Sequence, residues 1–165
     1  MTLFVTEPLS RDHDRKAFHC GVEALDRYLR EFAFQDIDRR VAGCFVALDD
    51  AHKIVGYYTL AATSIALDDL PADKKKRLPR YQTVPAILIG RLAVDEAHRG
   101  RGIGSGLIVD AVTRTDRLGI GAVALVVDAK DDAARAFYQA TGFLRIVGEE
   151  RRMFLEMAVA MAGLK

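Results

Sequence analysis

Arg99-Gly100-Arg101-Gly102-Ile103-Gly104-Ser105-Gly106 stands between an apolar run and a segment with helical spacing. The run is Ala86-Ile87-Leu88-Ile89-Gly90-Arg91-Leu92-Ala93-Val94; the spacing is that of Ile103, Leu107, Ile108, Ala111, Val112 and Leu118. A near-continuous apolar run reads as a strand covered on both faces, and the stripe after it as an amphipathic helix. Four glycines at alternate positions would cost a helix interior roughly 0.5–1 kcal/mol each against Ala. They are tolerated where a ligand must come close to the backbone. The first turn of a helix has N–H groups with no partner inside the helix. With the positive end of the dipole, those donors make an anion site. Arg99 and Arg101 add fixed charge, and the ligand that suits such a corner is a phosphate or pyrophosphate.

Upstream, Gly21 to Arg40 reads as helix, with Val22, Leu25, Leu29, Phe32 and Ala33 at helical spacing and two helices meeting near Glu31 to Phe34. Cys44 to Leu48 and Ile54 to Leu60, around the turn Asp49 to Lys53, predict an antiparallel hairpin. Asp68 to Pro85 is polar and irregular, with room for a short helix between Pro71 and Arg77. After the glycine segment, Gly119 and Gly121 end the helix and Ala122 to Val127 forms another apolar strand. Asp131 suits the N-cap of a helix Asp132 to Thr141. Phe143 to Val147 and Met153 to Ala158 read as the last strands. The order mixes antiparallel pairs with a strand–helix–strand crossover: a mixed α/β sheet with helices on both faces, in one domain over residues 1–165.

Spacing narrows the phosphate ligand. A P-loop needs GxxxxGK[ST], and no Lys-Ser or Lys-Thr pair follows a glycine here. A dinucleotide fingerprint needs GxGxxG; from Gly100 its last place is Ser105, and from Gly102 it is Leu107. The pattern that fits is [Gln/Arg]-x-x-Gly-x-[Gly/Ala], as Arg99-x-x-Gly102-x-Gly104. This segment resembles the acetyl-CoA pyrophosphate loop of the GNAT acetyltransferases, and Leu92-Ala93-Val94-Asp95 resembles that family's splayed strand. The resemblance implies that Arg99, Gly100, Arg101, Gly102, Ile103, Gly104 and Ser105 hold the diphosphate. It places Leu92, Ala93 and Val94 beside the pantetheine arm, with Leu92 and Val94 pairing to it through their backbones.

A second segment, Asp131 to Phe143, resembles the family's later signature Asn-x-x-Ala-x-x-[Phe]-Tyr-x-x-x-Gly-Phe. Ala134, Phe137, Tyr138, Gly142 and Phe143 match it, and Asp131 replaces the Asn. The resemblance gives Asp131, Ala134 and Phe137 to the coenzyme. It makes Tyr138 the catalytic residue, a hydroxyl held near the sulfur to stabilise or protonate the departing thiolate. Such general acid help is worth about 10²–10⁴-fold. Asp95, Glu96, His98 and Asp128 are candidate bases, none favoured over the others. An α-amine, with a pKa near 7.7–8.0, needs a base less than a lysine amine near 10.4 does.

Phe18 to Leu29, Gly56 to Leu60, Leu78-Pro79-Arg80-Tyr81, Val84-Pro85-Ala86 and Gly90 to Asp95 are similar to the toxin-like subgroup of the family. That resemblance implies the toxin of a type II toxin–antitoxin pair, acetylating the α-amine of aminoacyl-tRNA and stopping translation in the cytoplasm. It also implies a ribbon-helix-helix antitoxin, a homodimer, and no DNA binding by the toxin itself. The other readings are an ordinary small-molecule or protein N-acetyltransferase and a non-catalytic acyl-CoA-binding module. Lys74-Lys75-Lys76-Arg77 with Arg80 is a basic cluster suited to RNA phosphates, to which Arg11, Arg15, Lys16, Arg39 and Arg40 are candidate additions.

Bulk properties agree with a globular protein: of 165 residues, 50% are hydrophobic and 28% charged. The net charge of +1 counts against an RNA substrate unless the charge is unevenly arranged. No apolar run of about 18 residues exists, so no membrane span is expected, and Met1 to Glu7 lacks the features of a secretory signal. Cys20 and Cys44 read as reduced core residues. Neither CxxC nor HxxxH occurs, and no metal site is expected.

Overall fold

The computed structural model describes residues 4–164, so the ends of the 1–165 domain and the first three residues of the N-terminal reading lie outside it. Seven strands are ordered β1-β2-β3-β4-β5-β7-β6. They are β1 (Val5–Pro8), β2 (Gly43–Leu48), β3 (Ile54–Ala66), β4 (Thr83–Val94), β5 (Ala124–Asp128), β6 (Leu144–Arg145) and β7 (Arg152–Glu156). The helices are α1 (Glu23–Arg27), α2 (Ala33–Asp38), α3 (Ala72–Lys75), α4 (Ile103–Arg117), α5 (Asp132–Ala140) and α6 (Met157–Gly163). The chain forms two compact units, one built from the residues up to Ala61 with Ile89–Ala111, the other from Ala62–Leu88 with the residues from Val112 on.

In the first unit, β1, β2 and the start of β3 make an antiparallel ladder, with Val5 opposite Leu48 and Gly43 opposite Leu60. Phe45 faces Tyr58 directly across it, ring centroids 5.4 Å apart. The helical segment is a single run in which a wide π turn, Tyr28–Phe32, carries α1 into α2. A π turn rotates the apolar stripe without breaking the helix. Tyr28, Leu29 and Ala33 all reach the core as a result, beside Phe18, Val46 and Tyr57. Tyr57 donates to the Leu25 carbonyl at 2.6 Å.

In the second unit, β5 and β7 pair antiparallel from Ala124 opposite Glu156 to Asp128 opposite Arg152, and β6 adds to β7. Ile65, Val84, Ala124, Val126, Ile146 and Phe154 form its core. Several boundaries differ from the sequence expectations. β3 runs on to Ala66, and β4 starts at Thr83 within the stretch read as irregular. β6 has two residues, because Gly148 at φ +79° turns the chain back and Ile146 donates to the Arg152 carbonyl. β7 ends at Glu156 and α6 replaces its predicted end; Ala and Met are strong helix formers. Leu118, assigned to the buried stripe of α4, is 51% exposed just past the helix end.

Candidate functional site

β4 leaves the first unit's core at Val94, and Asp95 fixes the turn beyond it. Its amide donates to the Val55 carbonyl at 2.9 Å. Its carboxylate accepts from the Ala97 and His19 amides at 3.2 and 3.1 Å and lies 3.0 Å from His98 Nδ1. Burial pushes the Asp95 carboxyl up, but the hydrogen bonds from His98, His19 and Ala97 outweigh it and hold the group below the usual carboxylate range. Asp95 is therefore the clamp of the short 3₁₀ turn Glu96–His98 rather than a proton acceptor.

Gly100 and Gly102 come next, at φ +76° and +77°, with Arg101 between them. Both have open space where a Cβ would stand, so the demand for glycine is conformational. An L-residue there costs roughly 1–2 kcal/mol. Successive amides in such a turn make a concave nest for anions. Gly106 N closes onto Gly102 O at 3.0 Å, and the amides of Ile103, Gly104 and Ser105 precede that closure. Ser105 is exposed, Gly104 half-buried, and Ile103 is anchored in the core. A depression of about 410 Å³ opens here, with His98, Arg101 and Ile103 on one side and Asp49 and Asp50 on its lining. A diphosphate fits this donor set.

Two expected residues contribute differently from the sequence picture. The Arg99 guanidinium donates to the Cys20 carbonyl at 2.5 Å and lies 2.8 Å from where a Cβ on Gly21 would be. It ties the loop before α1 to the glycine turn. The Ala93 carbonyl is 3.1 Å from the Cβ position of Gly56, whose missing side chain lets the strands approach. Ala93 and Asp95 thus turn their backbone groups toward β3. Alternation along a strand turns those of Leu92 and Val94 to the other edge.

In the second unit, Asp131 caps α5 by accepting from the Ala134 amide at 2.8 Å, as its position predicted. Asp131 is exposed and Ala134 half-buried. Tyr138 is 8% exposed, and its ring meets the edges of Phe137 and Phe143 at 5.2 and 5.4 Å. Burial pushes the Tyr138 phenol up to about 12, so it is protonated at neutral pH. Its hydroxyl hydrogen-bonds to none of the described residues. Phe137 is half-buried, on the rim of this aromatic group.

Of the other candidate bases, Asp128 is held by Arg152 through two hydrogen bonds of 2.9 Å across the β5–β7 ladder. His98 is engaged by Asp95, and Glu96 is exposed. The basic cluster is also largely paired: Lys74 and Arg77 reach Glu156, and Lys75 reaches Asp68. Arg11 pairs with Asp38, and Arg15 donates to the Leu29 and Arg30 carbonyls. Sequence reasoning missed Arg91, whose guanidinium lies 3.6 Å from the Tyr28 ring centroid while Tyr28 donates to Asp36 at 2.8 Å. The available signal was an arginine inside an apolar strand. Cys20 and Cys44 are both free and buried; burial pushes the Cys44 thiol up to about 12, which makes it inert. Glu7, His13 and His52 converge. His13 Nδ1 accepts from the Ser10 amide at 2.9 Å while its Nε2 faces Glu7, so Nε2 carries the proton and has no lone pair for a metal.

Comparison with known proteins supplies the family. Residues 10–143 match the acetyltransferase (GNAT) family. A tRNA-acetylating toxin of Mycobacterium tuberculosis is 40% identical over 132 residues, covering 79% of this chain and 78% of that one. The structure of AtaT complexed with acetyl-methionyl-tRNAfMet is similar at a TM-score of 0.89 and 27% identity, over 98% of this chain and 99% of that one. AtaTR bound with AcCoA gives a TM-score of 0.83 at 27% identity over 100% of both chains. An AtaT mutant toxin bound to the C-terminus of the antitoxin AtaR gives 0.82 at 25% over 98% of both. With the glycine turn and the Asp131–Phe143 segment inside or bordering the matched span, this chain belongs to the GNAT family of acetyltransferases.

Proposed function

We propose that this protein transfers the acetyl group of acetyl-CoA to the α-amine of aminoacyl-tRNA, as the toxin of a type II toxin–antitoxin pair. The observation that carries the coenzyme half is the Gly100–Gly102 turn, which presents the first amides of α4 as a nest for a diphosphate. Leu92 and Val94 offer backbone groups to the pantetheine arm. Arg101 adds charge; Arg99 acts through the loop that it holds.

The neutral amine attacks the thioester carbonyl, the C–S bond breaks and a thiolate leaves; the nitrogen gives up its extra proton to solvent water as the amide forms, and the thiolate takes up a proton from water to leave as the free thiol. Tyr138, kept protonated by burial, donates to that sulfur. Three of the four candidate bases are already engaged, Asp128 by Arg152, His98 by Asp95, and Asp95 by His98 and two backbone amides, and the fourth, Glu96, is exposed. This favours an acceptor that is already substantially neutral at pH 7, as an aminoacyl α-amine is. Similarity to the M. tuberculosis toxin and to AtaT supports the same acceptor class. AtaT bound to the C-terminus of the antitoxin AtaR supports an antitoxin partner; the reading extends, on the sequence resemblance alone, to a small ribbon-helix-helix antitoxin, a homodimer without DNA affinity of its own and action in the cytoplasm, where charged tRNA is. No described helix is long and apolar enough to cross a membrane.

The test is incubation with labelled acetyl-CoA and total charged tRNA. Label that appears in tRNA and is released by mild alkaline cleavage of the aminoacyl ester supports the proposal. Label transferred only to free amines or proteins refutes the acceptor, and coenzyme binding without any turnover refutes catalysis.

A further inference from the structure

Acetyl transfer leaves the chemistry of the loop between β3 and β4 unused. Residues 67–82 leave the sheet and return to it, the neck closed by the Leu67 amide on the Gln82 carbonyl at 2.9 Å. A cavity of about 630 Å³ lies on this loop, with Leu67 and Leu78 among its apolar lining and Lys76, Arg80 and Tyr81 among its polar lining. Tyr81 is 66% exposed, an unusual cost for so large a ring, and its amide donates to the Pro79 carbonyl at 2.9 Å, fixing the backbone beneath it.

The five cations of this segment divide into two sets. Lys74 and Arg77 pair with Glu156 at 3.4 and 3.3 Å, and Lys75 pairs with Asp68 at 2.6 Å. The side chains of Lys76 and Arg80 form no ion pair or hydrogen bond with any described residue. These pairs engage Glu156 and Asp68 but not Asp69 or Asp73, and they leave Lys76 and Arg80 unpaired among the described residues beside one exposed aromatic ring. That combination is what single-stranded nucleic acid binds: cations track the phosphates while a ring takes a base. Duplex RNA has no base free to stack, whereas an unpaired end does.

We propose that this loop seats the unpaired 3′ end of the acceptor RNA, with one base stacked on Tyr81 and its flanking phosphates on Lys76 and Arg80. The proposal rests on the aminoacyl-tRNA reading above and adds the place where that substrate is gripped. It separates the basic cluster into residues that hold the fold together and residues that hold RNA.

The test uses the full chain, bulk charged tRNA with labelled acetyl-CoA, and a fluorescein-labelled oligoribonucleotide ending in CCA. Tyr81→Ala raises the KM for charged tRNA and weakens the oligonucleotide by about 5- to 150-fold, while Tyr81→Phe stays near wild type because stacking does not need the hydroxyl. Lys76→Ala with Arg80→Ala reduces the steepness of log affinity against log salt by about 1.4. Acetyl-CoA affinity, read by calorimetry, is unchanged in every variant and reports that each is folded. Unchanged RNA affinity and KM in Tyr81→Ala overturns the proposal, as does an equal loss in Tyr81→Phe. A Tyr81→Ala protein that keeps RNA affinity but loses a copurifying protein assigns the loop to protein docking and also overturns it. If the wild type transfers nothing to charged tRNA, the acceptor assignment fails separately, and the oligonucleotide titration decides the loop: Tyr81-dependent binding upholds the seat, its absence removes it.

Discussion

Tyr138→Phe removes one oxygen from a ring whose surroundings are otherwise apolar. Burial pushes the phenol up to about 12, against about 8.5 for an ordinary thiol. That gap sets about 5 kcal/mol against full proton transfer to the thiolate. The phenol thus acts chiefly as a hydrogen-bond donor to the sulfur as charge develops there. Hydrogen bonds to charged groups are worth about 1.5–3 kcal/mol, which converts to a fall in kcat of roughly 10- to 150-fold. The hydroxyl has no partner among the described residues, so its removal leaves the Tm unchanged or slightly raised. Acetyl-CoA affinity is also unchanged. The assay is release of free coenzyme A thiol at saturating substrates, with calorimetry for affinity. The pH profile carries a sign: burial raises the pKa, so the protonated donor persists on the alkaline side until pH approaches 12. Wild-type kcat therefore shows no alkaline fall between pH 8 and 10 that the Phe variant lacks. Wild-type turnover in the variant, or a Tyr138-dependent fall centred near pH 9, would refute the reasoning.

Gly102→Ala forces an L-residue into φ +77°, at roughly 1–2 kcal/mol; acetyl-CoA affinity falls about 5- to 30-fold where the bound state demands that geometry, and unchanged affinity by calorimetry contradicts this. Asp131→Ala removes the α5 cap at 2.8 Å, costing about 1 kcal/mol and lowering the Tm by about 2–4 °C; an unaltered melting curve argues against the cap. The low Asp95 pKa means that its stabilising contribution is present above the unfolded value of 3.8 and lost as pH falls through the folded one. Asp95→Ala accordingly narrows the difference in Tm between pH 6 and pH 3, and an unchanged difference speaks against the Asp95 clamp.

The local geometry of the candidate site was legible because its requirements are local. Gly100 and Gly102 stand where positive φ is needed, Asp131 where a cap is needed, and Tyr138 within a motif of fixed spacing. What was not legible depends on distant partners. The guanidinium of Arg99 looks like phosphate-binding charge in sequence, and only the fold brings the Cys20 carbonyl to it. Asp95 and Asp128 look like bases until the His19 amide and Arg152 arrive. Arg91 stacks on Tyr28 from 63 positions away in number, which no spacing rule reports. Element ends erred for related reasons. The π turn Tyr28–Phe32 preserves a stripe that simple periodicity splits into two helices, and the Ala- and Met-rich 157–163 stretch is apolar enough to read as strand.

The direct measurement is amide-resolved NMR of the wild-type protein during titration with coenzyme A, and in parallel with pantetheine, which lacks the diphosphate. The amides of Gly102, Ile103, Gly104 and Ser105 shift with coenzyme A and become protected from hydrogen exchange, while pantetheine leaves them unmoved. Binding of coenzyme A with those four amides unperturbed contradicts the nest at the start of α4 and the chemistry built on it.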